Sequence, residues 1–106
     1  MTSPHPVTLD LGGVTDKAGF MDRVARALAL PDWFGRNWDA LADVLSDPGL
    51  WPEAAAGPGL LIVVTGWRPY AAARPDEWAV AQDVLKEAAD RTPALAVELA
   101  PGGPTR

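Results

Sequence analysis

Hydrophobic and polar positions along this chain repeat with two different periods. Around residues 7–11, Val7, Leu9 and Leu11 fall on one side of an extended segment and Thr8 and Asp10 on the other. That period of two predicts a strand. Residues 95–99 repeat it, with Ala96 and Glu98 turned away from the leucines. Residues 60–64 are continuously apolar, as expected of a central strand with neighbours on both sides. Between these segments the period changes to that of a helix. Phe20, Val24, Ala27 and Leu28 make one apolar stripe, so a helix is predicted from about 16 to 28, with Thr15 or Asp16 at its cap. A second is predicted over 37–45. A third covers about 75–91, with Trp78, Ala81, Leu85 and Ala88 inward and Pro75 in the first turn.

Residues 48–59 are rich in proline, glycine and alanine and read as an irregular connection with one short helical turn near 53–56. The order strand, helix, strand, helix, strand predicts an α/β fold: a small three-stranded parallel sheet with its helices packed mainly on one face. The 106 residues suit a single domain, with residues 1–5 and 101–106 as flexible tails.

Composition narrows the chemistry. The absence of cysteine removes disulfides, thiol nucleophiles and cysteine zinc sites. It suits a cytoplasmic protein, and no cationic-then-apolar leader opens the chain. The apolar run at 60–64 is far too short to span a membrane. A net charge of −5 with nine lysines and arginines argues against nucleic acid as a partner and favours a basic one. Nothing in the pattern calls for a cofactor or a metal.

The second helix carries that charge in an ordered way. At 100° per residue, Trp38, Leu41, Val44 and Leu45 share one side. Asp39, Asp43 and Asp47 line the other. Asn37 suits the cap, and Asp39 gains from the helix dipole. Like charges four apart repel by about 0.2–0.5 kcal/mol, which Arg36 is near enough in sequence to relieve. The last helix repeats the theme with Asp76, Asp83, Glu87 and Asp90 on one side. Trp33 and Phe34 precede Gly35 in the loop before the acidic helix, where backbone freedom is useful. An exposed tryptophan there is a binding anchor; Phe34 reads as structural.

The run from Leu30 to Asp43, Leu-Pro-Asp-Trp-Phe-Gly-Arg-Asn-Trp-Asp-Ala-Leu-Ala-Asp, resembles the barstar family. The segment from Val63 to Arg68 resembles that family's central strand and the tryptophan after it, and Leu85 to Ala88 its last helix. The resemblance implies an intracellular inhibitor, monomeric when free, of a small guanyl-specific secreted microbial ribonuclease of the barnase or ribonuclease Sa type. On this view an acidic loop and helix plug the enzyme's active site. The resemblance places Asp43 in the phosphate pocket, Asp39 on the guanine-recognition side and Trp33 against the catalytic histidine. It puts Gly35, Asn37 and Trp38 at the loop and helix start, and Glu87 at the periphery. Two departures stand out: Trp33 and Phe34 replace tyrosines, and Arg36 replaces an acidic residue. Both point to a partner other than barnase, with a less basic rim.

Two other readings compete. An enzyme using Asp39 and Asp43 as acid and base is disfavoured by their position on a solvated face. His5, the one histidine, sits in the expected tail, and Gly12-Gly13 is too short for a phosphate loop. The alternative of a barstar-fold interaction module for another basic partner stays open, because a fold does not fix its partner.

Overall fold

A computed structural model describes residues 3–100. Three strands, β1 (His5–Asp10), β2 (Leu60–Thr65) and β3 (Leu95–Leu99), form a parallel sheet in the order β1-β2-β3. Helix α1 (Lys17–Ala27) follows β1, and α2 (Trp38–Leu45) follows α1. Two 3₁₀ turns, Pro48–Leu50 and Glu53–Ala55, lead into β2. Then come α3 (Arg68–Ala73) and α4 (Pro75–Arg91) before β3. The α/β class, the central position of β2 and the three main helices agree with the sequence pattern.

The register explains why the helices gather on one side. Leu9 and Val64 pair, as do Val7, Ile62 and Val97 across the three strands, and all five pack in or against the core. The alternate row, Thr8 with Val63 and Glu98, faces the other way. Burial along β2 therefore alternates, although its sequence is apolar throughout: Leu60, Ile62 and Val64 are buried and Leu61 and Val63 half-buried. A one-residue slip would turn every core residue outward, so this alternation fixes the register.

Two features depart from the sequence reading. β1 begins at His5, whose N–H donates to the Gly59 carbonyl at 2.8 Å, so this histidine belongs to the sheet and not to a tail. The expected tail from Pro101 lies outside the described residues. α3 was not foreseen. It starts beyond Gly66, whose φ of +62° and close approach to the Gly12 backbone both require the absence of a Cβ. Pro75 separates α3 from α4: the residue before a proline is pushed out of the helical region, and Arg74 sits at φ −138°, ψ 70°.

An aromatic file runs through the core. Trp38, Phe20, Tyr70, Trp78 and Trp67 follow one another with ring centroids 5.5–5.9 Å apart. Such contacts add about 0.5–1.5 kcal/mol each beyond buried area. The file ties α1, α2, α3 and α4 into one unit, so the start of α2 rests on a rigid base.

Candidate functional site

The start of α2 is fixed by its own sequence. Asn37 is the cap: its side-chain oxygen accepts the Ala40 N–H at 2.7 Å, and its amide nitrogen donates to the Gly35 carbonyl at 3.3 Å. Leu41, Val44 and Leu45 are buried, and α2 packs against α4. At the other end Trp51 is buried, and its indole N–H donates to the Val44 carbonyl at 3.2 Å. Trp51 thus closes the helix and belongs to the core. Trp38 is half-buried against Phe20, with the Lys17 ammonium 5.6 Å from its ring centre. Its role is to seat the helix.

Asp39 and Asp43 are both exposed on the opposite side of α2. Among the described residues neither takes part in a salt bridge. Their charges therefore stay free for a ligand, at the cost of mild mutual repulsion. Arg36 does not relieve it: its guanidinium pairs with Asp22 of α1.

The loop before α2 retraces α1 in the reverse direction. It leaves the helix through Leu30, whose N–H donates to the Ala25 carbonyl at 2.9 Å. Further on, Arg36 pairs with Asp22, and Trp38 then meets Phe20 and Lys17. Its attachment points on α1 thus step backwards from residue 25 to residue 17. Between the first two a turn forms, with the Phe34 N–H donating to the Pro31 carbonyl at 3.0 Å. Phe34 is driven into the core and is 4 % exposed, whereas Trp33 at the tip of the turn is 67 % exposed. Adjacent aromatics take opposite roles here, one holding the loop down and the other standing in water.

Gly35 is needed for space and not for φ. A Cβ there would meet the Asn37 amide nitrogen at 3.1 Å and the Ala40 Cβ at 3.4 Å, crowding the cap. The left-handed residue in this segment is Arg36, at φ 53°. Glu87 is exposed on α4 and lies 3.5 Å from Arg91, one helical turn on. The structure thus brings Trp33, Gly35, Asn37, Trp38, Asp39 and Asp43 together in one loop–helix unit, while Glu87 stands on a separate helix. Asp22 and Lys17 had no signal in the sequence, since both contacts depend on the loop folding back along α1.

The face is electronegative and aromatic. Among the described residues, no group of three His, Asp or Glu side chains is placed to hold a metal, and no helix is long and apolar enough to cross a membrane. Among curated proteins, none matches the chain significantly. The family described as "Barstar (barnase inhibitor)" matches residues 5–100. That match takes in all three strands and the whole of the loop–helix unit, and the chain belongs to the barstar family.

Proposed function

We propose that this protein inhibits a small guanyl-specific secreted microbial ribonuclease by inserting the loop 30–37 and α2 into the enzyme's active site. The observation that carries the reading is the pairing of an exposed Trp33 with two free carboxylates, Asp39 and Asp43, on a capped and firmly packed helix. A ribonuclease must present cationic side chains to bind and cleave a phosphodiester. A carboxylate on a rigid helix imitates that phosphate and accepts two parallel hydrogen bonds from an arginine. In this arrangement Asp43 occupies the phosphate pocket, Asp39 the guanine-recognition side, and Trp33 stacks on the catalytic histidine. Glu87 adds a peripheral charge. Negative charge on this face also speeds encounter with a basic enzyme.

The chain's own residues favour a partner less basic than barnase. Trp33 offers a larger stacking surface than tyrosine but no hydroxyl, and Arg36 with Asp22 forms a locally neutral pair beside the acidic face. The test is to titrate the protein into barnase and ribonuclease Sa while following RNA cleavage. Inhibition that is complete at one equivalent supports the reading. Full ribonuclease activity in both, together with capture of a basic partner that is not a nuclease, would point instead to an interaction module.

A further inference from the structure

Resting on the proposed function, we infer that Asp22 and Arg36 form a positioning pair that holds the Trp33 turn against α1. The loop carries two left-handed residues that are not glycine, Ala29 at φ 51° and Arg36 at φ 53°. This conformation is disfavoured for any residue with a Cβ. At Ala29 the backbone itself explains it. The Ala29 N–H donates to Arg26 and the Leu30 N–H to Ala25, the paired bonds that commonly end a helix. Among the described residues no such pair accompanies Arg36. A glycine would adopt this conformation freely, and one stands a single position earlier, where its φ is not left-handed. What arginine adds is a cationic arm long enough to reach Asp22 on α1.

The placement of this pair gives it leverage. The turn is anchored before its tip by the Leu30 bond and after it by Trp38 in the aromatic contacts. Phe34 fixes one side of the turn in the core. The segment from Gly35 to Asn37 is exposed and gains no such apolar anchor. The ion pair supplies the missing attachment there. Its side chains are 49 % and 60 % exposed, so its effect is modest and its role is orientation, with little weight in overall stability. A turn held in its bound shape loses less freedom on docking.

The experiment uses Arg36→Ala, Asp22→Ala, Arg36→Lys and the charge swap Arg36→Asp with Asp22→Lys. Aspartate is among the residues that enter the left-handed region more readily, so the swap suits the backbone. Backbone amide order parameters of residues 32–36 are measured in the free protein. In each alanine variant they should fall from the rigid value of about 0.85 towards about 0.6, and they should recover in the swap and partly in Arg36→Lys. With barnase as the probe, the alanine variants should dissociate about two- to fivefold faster, and the swap should restore the parent rate. Unchanged order parameters in both alanine variants overturn the proposal. So does a loss of binding in every Arg36 variant that Asp22→Ala does not share and the swap does not repair, because Arg36 would then contact the enzyme directly. If barnase is not bound at all, the functional reading fails for that enzyme, while the order parameters still decide the role of the pair.

Discussion

Replacing Trp33 and Phe34 by alanine, one at a time, should separate binding from stability at adjacent positions. A tryptophan side chain presents up to about 250 Å² of surface. With Trp33 67 % exposed, the covered third is about 80 Å². At about 25 cal/mol/Å² this corresponds to at most about 2 kcal/mol of folding free energy. Residual burial in the unfolded chain and the area alanine keeps bring the expected loss nearer about 1 kcal/mol. Phe34 is 4 % exposed and surrounded by core, so Phe34→Ala should cost about 3–5 kcal/mol. In a domain of this size that difference spreads the two melting temperatures by roughly 10 °C or more. Binding should give the reverse order. Covering the remaining 170 Å² or so of Trp33 on an enzyme is worth up to about 4 kcal/mol before ordering costs. Trp33→Ala should therefore weaken the complex by about 2 kcal/mol or more, at least roughly thirtyfold. Urea unfolding followed by circular dichroism gives the stabilities, and calorimetric titration with the inhibited ribonuclease gives the affinities. Equal destabilisation by the two variants, or an affinity for Trp33→Ala within twofold of the parent, would refute the reasoning.

Four further outcomes are expected. Asp43→Ala should weaken ribonuclease binding more than any other exposed change, with Asp39→Ala next; the general range for such truncations is about 2–5 kcal/mol, the barnase–barstar pair being among the systems that define it, and a titration showing no more than a twofold loss for Asp43→Ala contradicts the assignment. Raising salt should slow association far more than dissociation, as stopped-flow mixing would show, and a salt-independent association rate argues against steering. Asn37→Ala removes the cap of α2 and should lower stability by about 0.5–2 kcal/mol in urea unfolding, so an unchanged midpoint would mean that the cap contributes nothing. Burial, and then the hydrogen bond to Glu77, push the hydroxyl of Tyr70 well above its ordinary value of 10.0. A raised folded-state value means that the associated stability is complete below pH about 10 and is lost as pH rises above it. Tyr70 is the single tyrosine, so absorbance at the phenolate band should rise only with alkaline unfolding; a reversible titration near pH 10 in the folded protein would exclude this.

Much of the fold was legible because period and capping agree. The predicted last helix and last strand coincide with Pro75–Arg91 and Leu95–Leu99, where proline at the start and strict alternation leave little latitude. The acidic helix was equally readable, since Asn37 caps it and its apolar and acidic residues divide cleanly around the axis. α3 was not readable: its six residues span less than two turns, and Pro69 and Pro75 bracket a segment with no apolar repeat. At the site, the sequence supplied the side chains but not their attachments. The pairing of Arg36 with Asp22, and the stacking of Lys17 on Trp38, arise because the loop folds back along α1. Such contacts carry no periodic signal. The sequence suggested backbone freedom at Gly35, whereas the left-handed residue is Arg36, one position later.

The contrast between Trp33 and the other four tryptophans gives the protein an optical reporter at the proposed docking face. Trp51 and Trp78 are buried and Trp38 and Trp67 half-buried against the core, so all four emit from drier surroundings than Trp33. Among the described residues Trp33 is the most exposed large hydrophobic side chain, well ahead of Val80 and Leu99. The largest long-wavelength, iodide-quenchable share of the fluorescence therefore comes from Trp33. Occupation of the face registers as a blue shift and loss of quenching, with no dye, tag or substitution. The stacked indoles of Trp67 and Trp78, 5.5 Å apart and within 7° of parallel, lie away from that face, so the near-ultraviolet circular dichroism of this pair tracks the integrity of the fold.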